Sequence, residues 1–448
     1  MRKLLLALPL VASASWAGTT YYAGTQTQPA YDKLISQLNE FKPFTVESEQ
    51  YNAGFLTSTA ITKVMNSAGP DAQTLFRLQH VIEHSPVGVD GNGARVGAST
   101  IHTTLLVDEY SEEVTEFLAA FDNQQPFELF TRVGISGAVT NDLVLSPFSI
   151  NRDGSEASFE GGQYTVNSDN TGAIAGEGEL GAIVLANNVA QYSVSASTGV
   201  FDLQRISAGI HTGNYSFDIP EIAFINKESG TKDGRIADIK LTSNTEFEGA
   251  LMNSDLQIVA GSVETPLDIS SASFEFNIGG LSLQGLQEYV EIMESLPIVG
   301  DDPDYSDSLV ASDFDAYKAL ISPGAKMGLD LAMENSGGAI STSFDAKFKG
   351  DGSVSGYDSM GTIRDLASAH VLSLKINADE AALHATPAVM VLLHPMAQQY
   401  LLSDGISYST DIKAEDLILE VNGNPQSLED MFGGILSMPL DLSMLSAF

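Results

Sequence analysis

The string His80-Val81-Ile82-Glu83-His84 has the spacing of an inverted zinc-protease motif, in which two imidazoles share one metal and the glutamate serves as base. That chemistry requires a helix, because only there do positions four apart fall one turn apart on a common face. The surrounding text from Leu75 to Val87 alternates apolar and polar side chains as a strand does. On a strand, positions four apart share a face but lie roughly 13 Å from each other, too far to grip one ion. The nearest sources of a third ligand, Glu112, Glu113 and Glu116, form the wet side of a helical segment whose other side is Val114, Phe117, Leu118 and Phe121. A metal-dependent hydrolase using His80, Glu83 and His84 therefore stands third among the readings weighed below.

Other reactive groupings are weaker still. Asp301, Asp302, Asp304 and Asp307 form a carboxylate loop, but Pro303 and the missing EF-hand glycine and terminal glutamate favour a solvated loop over a calcium site. Asp90-Gly91-Asn92-Gly93 reads more simply as a turn. Gly134-Ile135-Ser136-Gly137 lacks the nucleophile-elbow pattern and lies in strand text. His102, His211, His370, His384 and His394 are scattered. Carboxylate pairs arise by chance in so acidic a chain and support no glycosidase. With no cysteine, disulfides, thiolate zinc sites and cysteine nucleophiles are excluded. No cofactor is predicted.

The elements that would position any site are written in two-residue alternation. Ile239, Leu241, Phe247 and Leu251 interleave with Lys240, Thr242, Asn244, Glu246 and Glu248. The pattern returns at Phe274/Phe276/Ile278, Met327/Leu329/Leu331/Met333, Leu372/Leu374/Ile376 and Leu417/Leu419/Val421. Successive strand side chains point to opposite faces, so this text predicts long strands with one greasy and one wet face. Asp153-Gly154, Asn170-Thr171-Gly172, Asp233-Gly234 and Asn422-Gly423 are predicted tight turns between sequential antiparallel strands. Leu286, Tyr289, Val290, Met293 and Leu296 line one side of a helix up to Pro297, and Phe314 to Ile321 reads as a second. Ser427, with Asp430 three positions on, opens a short C-terminal helix.

Bulk properties set the outer bounds. Twenty-one basic against 58 acidic residues give a net charge of −37, a surface that repels nucleic acid. Arg2 and Lys3 precede an apolar run from Leu4 to Ala17, which reads as an export signal or an uncleaved anchor touching the membrane. Ala381 to Leu402 is interrupted by Pro387 and Pro395 and reads as a kinked packed helix. Met438, Leu440, Leu442 and Met444 alternate towards Phe448 as an outer-membrane barrel end does, but Pro439, the helical interludes and the single tryptophan oppose that reading.

Several landmarks recur together along the chain. They are His84-Ser85-Pro86, the run Ser99 to Leu105, Pro126-Phe127-Glu128 leading to Arg132-Val133-Gly134-Ile135-Ser136-Gly137, Phe159-Glu160-Gly161-Gly162, and Val421-Asn422-Gly423-Asn424 before Ser427 to Phe432. This set resembles the YdgA-like family of bacterial envelope proteins, a family of unknown function. The chain departs from it at Ser85, where the family tends to carry glycine before the proline. The resemblance implies an exported protein facing the periplasm, soluble or tethered to the inner membrane, and it brings no catalytic residues.

The resulting expectation is a mainly β chain with α (α+β): long curved antiparallel sheets, with helices packed at the ends and between two β blocks. Residues 1–17 are the signal or anchor, 18–44 a helical connector, 45–280 the larger β block, 281–322 a helical bridge and 323–448 the smaller β block with its packed helix. A sheet with one apolar face must cover that face with helices, another sheet or a ligand, and the visible helices are too few. The leading functional expectation is a non-enzymatic envelope protein that binds lipid or another amphiphile on an apolar sheet face. Leu241, Phe247, Leu251, Phe274 and Phe276 are the candidate lining residues. The alternative is a structural or assembly factor that recruits other envelope proteins without a small ligand.

Overall fold

The computed structural model describes Ile35 and residues 44–295, 324–349, 361–386 and 400–438, apart from 55–56, 67–73, 84–86, 91–92, 97–98, 107–117, 122–123, 135, 137, 153, 208–209, 228–230 and 265–268. The predicted export segment, the Asp301 to Asp307 loop, the helix at Phe314 to Ile321 and most of the alternating C-terminus lie outside the described residues. So do His84, Glu112, Glu113 and Glu116. The chain divides into two compact units, Met1–Ile206 with Glu294–Tyr305, and Ser207–Met293 with Ser306–Phe448.

The first unit contains β1 (Phe44–Asn52), β2 (Thr57–Asn66), β3 (Thr74–Glu83), β4 (Val87–Asp90), β5 (Gly93–Val96), β6 (Ser99–Leu105), β7 (Phe127–Val133) and β8 (Val139–Leu145). It continues through β9 (Phe148–Arg152), β10 (Ser155–Phe159), β11 (Gly162–Ser168), β12 (Ala173–Leu180), β13 (Ile183–Ala186), β14 (Ala190–Val194) and β15 (Ser197–Ser207). Antiparallel pairing runs β1-β2-β3-β6-β7-β8-β11-β12-β15, and a second ladder runs β9-β10-β13-β14. One face of the long ladder is sealed. Phe127, Leu129, Thr131 and Val133 of β7 are all buried while the residues between them are not, and Phe127 and Leu129 cluster with Val64, Phe76, Leu78, Leu105, Leu118 and Leu145. Gly178 leaves the space that the Tyr164 ring occupies across the ladder; a Cβ there would meet that ring at 2.4 Å. This burial raises the Tyr164 hydroxyl above its ordinary range.

The second unit contains β16 (Ile210–Asn226), β17 (Thr231–Glu248), β18 (Leu251–Glu264), β19 (Ile269–Ser282), α1 (Leu283–Ser295), β20 (Lys326–Asn335) and β21 (Gly338–Phe348). It continues through α2 (Ile363–Ala369), β22 (His370–Asp379), α3 (Glu380–His384), β23 (Leu402–Ser403), β24 (Ser407–Glu415), β25 (Ile418–Val421), β26 (Asn424–Ser427) and α4 (Leu428–Leu436). The strands pair in sequence from β16 to β22, then to β24, whose far edge is shared by β23 and β25. Asn422 and Gly423 both take positive φ, 51° and 81°, in the two-residue turn that joins β25 to β26. Ser427 caps α4 by accepting from the Asp430 amide at 3.2 Å.

The chain is mainly β and antiparallel, as the alternation predicts. It is almost all β, and the α+β expectation overstates the described helices, which have 13, 7, 5 and 9 residues. Asp233-Gly234 is not a turn. It falls inside β17, where the register slips between Phe224 and Ile225, so the extra residue is taken up as a bulge.

Candidate functional site

Directly opposite residues of antiparallel strands share a face, so the register of the second unit can be read across the sheet. One row passes from Phe217 through Leu241, Ile258, Phe274 and Leu331 to Thr342, Ile376 and Thr410. The adjacent row on the same face runs Tyr215, Ser243, Leu256, Phe276, Leu329 and Phe344, then Leu374 and Ile412. The interleaved row on the other face is Ser216, Thr242, Gln257, Glu275, Asp330 and Ser343. Alternation has sorted the sheet into a greasy and a wet side.

The greasy side is only partly covered. At one margin Met252, Ile278, Leu281 and Phe348 cluster with Leu286 of α1 and Leu366 and Ala369 of α2. At the other, Met333, Ile340, Ala378 and Tyr408 cluster with Ala382 and Leu383 of α3. Between them Tyr215 and Leu331 each keep 42% of their surface exposed, Leu372 39% and Met327 36%. Phe217, Leu241, Ile258, Phe274 and Phe276 are half-buried. Neither row carries a carboxylate, amine or imidazole. Such a surface gains about 25 cal/mol for each Å² of apolar contact it buries.

Four of the five predicted lining residues meet on this face. Leu241 and Phe274 share the first row, Phe276 lies in the second, and Phe247 reaches the margin opposite Met252. Leu251 is a correction. The tight turn at Gly249 and Ala250 pairs Leu251 with Glu248, so its side chain stands on the wet face, 42% exposed. Its regular spacing from Phe247 counts through a turn, where strand parity does not hold.

His80 lies on β3 and not on a helix. Its Nε2 lies 2.7 Å from the Thr62 hydroxyl and its Nδ1 2.9 Å from the Thr103 hydroxyl. Desolvation of the ring pushes its pKa from 6.5 down to about 4, so it is neutral at pH 7. Both nitrogens are committed to neighbouring strands, which suits a structural bridge and not a metal ligand; Glu83 ends the same strand, exposed. Among the described residues no group of three or more His, Cys, Asp or Glu is placed to hold a metal ion. His102, stacked on Phe130 at 4.4 Å, pairs with Glu128 at 2.7 Å on the wet side of the first unit. An open cavity of about 330 Å³ on that side is lined by Gln163, Thr165, Glu177, Glu179, Thr198 and Val200.

These features define an antiparallel β protein with a one-sided apolar face. The chain belongs to the family of bacterial proteins of unknown function DUF945, whose model matches residues 1–429. Protein YdgA of Escherichia coli strain K12 is 21% identical over 355 residues, covering 72% of this chain and 70% of that protein. The uncharacterized protein YihF of the same strain is 23% identical over 318 residues, covering 62% of this chain and 64% of that protein. No solved structure matches the chain. Among the described residues no helix is long and apolar enough to cross a membrane.

Proposed function

We propose that the chain is a non-enzymatic protein of the bacterial envelope whose second unit binds the acyl chain of a lipid on its apolar sheet face. The observation that carries this reading is the partial exposure of the face between its two clusters, with Tyr215 and Leu331 both at 42%. Contiguous exposed apolar surface marks an interaction site. An acyl chain suits it better than a polypeptide does, because it brings no backbone donors or acceptors that the two rows would leave unmet. From Phe217 to Thr410 the row crosses seven strand spacings, about 33 Å, twice the roughly 15 Å depth of one bilayer leaflet's hydrocarbon. The excess of 58 acidic over 21 basic residues disfavours an anionic head group.

The test is native mass spectrometry and solvent extraction of the full chain purified from membranes. Co-purifying lipid, lost in Leu331→Asn, supports the proposal. A lipid-free protein that captures one envelope protein overturns it in favour of the assembly role.

A further inference from the structure

We propose that α4 is a membrane-docking element that lays its exposed apolar side chains into the surface of a zwitterionic bilayer, a contact separate from lipid binding on the sheet face. Met431 and Ile435 lie one turn apart on α4, with Phe432 beside them and Met438 just past the helix end. Met431, Phe432, Ile435 and Met438 keep 42%, 43%, 52% and 39% of their surface exposed, while Leu436 alone of the large side chains here turns inward. Gly433 and Gly434 stand in the open as well, since a Cβ added to either would meet nothing within 4 Å. The helix is held at both ends. Ser427 caps it, Arg364 of α2 pairs with Glu429 at 2.7 Å, and the Ile363 amide donates to the Met438 carbonyl at 3.2 Å. Its apolar side is therefore fixed outward.

From Met431 to Met438 there is no charged side chain, in a chain whose net charge is −37. Such a stretch offers nothing to an ionic partner, and the surrounding acidity repels anionic head groups. At about 100 Å² apiece, the exposed side chains fall well short of the roughly 800 Å² that each partner gives to a stable protein complex. A bilayer needs no matching contour and accepts apolar side chains to a shallow depth. With nine residues the helix is too short to span it, so α4 lies in the interface plane. The ten residues after Met438 carry one charged side chain, Asp441, against Leu440, Leu442, Met444, Leu445 and Phe448, so the sequence stays apolar beyond the helix.

The experiment follows peroxide oxidation of Met431 and Met438 in the full chain, read by mass spectrometry, with and without phosphatidylcholine vesicles. Both should oxidise freely in solution and about tenfold more slowly at saturating vesicles, at low and at high salt alike. The apolar run from Leu4 to Ala17 is able to bring the chain to a vesicle by itself. Ile435→Asp and Phe432→Asp keep that run, so each should lose the slowing at both methionines with an unchanged urea midpoint, whereas Ile435→Leu should retain it. No slowing in wild type, or slowing that persists in both aspartate variants, overturns the proposal. Protection already present without vesicles overturns it too, in favour of a second copy if it grows with protein concentration, or of residues 439–448 if a chain ending at Met438 loses it. Uptake of 1-palmitoylglycerol on the sheet face should be equal in wild type and Ile435→Asp, so failure of either reading leaves the other standing.

Discussion

Strands β7 and β20 carry the same alternation and meet opposite fates. In β7 Phe127, Leu129 and Val133 are 5%, 4% and 2% exposed, sealed beneath the first unit's core. In β20 Met327 and Leu331 stand 36% and 42% exposed on the side that should be dry. The contrast separates two properties that a hydrophobic pattern merges. Alternation dictates that a sheet has an apolar face, whereas coverage of that face depends on which other elements pack there. The first unit spends its apolar face on stability. The second leaves part of its face available.

The largest effect that would break this comparison is a pair of truncations. Leu129→Ala should cost about 2–5 kcal/mol in urea unfolding, as deletions in sealed cores do, and Leu331→Ala less than about 1 kcal/mol. Equal costs would mean that the second face is as closed as the first. Next in size is a pH term confined to the first unit. His80, pushed down to about 4 from 6.5, is uncharged when folded, so its contribution is complete above pH 6.5 and declines as the pH falls towards 4, because the unfolded chain takes the proton first. Wild type should lose roughly 3 kcal/mol more than His80→Gln between pH 7 and 4. The rows of the second face hold no comparable group, so its ligand binding should not follow that titration.

Gly423→Ala should cost about 1 kcal/mol without touching ligand binding. Nothing lies within 4 Å of the added Cβ, so the penalty comes from φ +81° alone. The smallest stability change belongs to Leu331→Asn, within about 0.5 kcal/mol of wild type in unfolding while lipid retention falls.

Much of this was legible in the residues. The strand reading of Leu75 to Val87 removes the helix that the His80 motif requires, and β3 holds His80 as an inter-strand bridge. Asn422-Gly423 and the Ser427 cap fall where local chemistry demands them. What alternation misses is parity across a connection. Leu251 changes face because a two-residue turn intervenes, and Asp233-Gly234 is absorbed as a bulge opposite Phe224 and Ile225 of β16. Thr362 and Asp365 form a full capping box at α2, a signal three residues apart that the sequence reading passed over.

Hydroxyl-radical footprinting of the full chain with and without bound lipid tests the open face most directly. Tyr215, Met327 and Leu331 should be labelled in the delipidated protein and protected when 1-palmitoylglycerol is added, while Phe127 and Leu129 stay unlabelled throughout. Protection of Tyr215, Met327 and Leu331 already complete without lipid, or labelling unchanged at saturating lipid, would contradict an available apolar face.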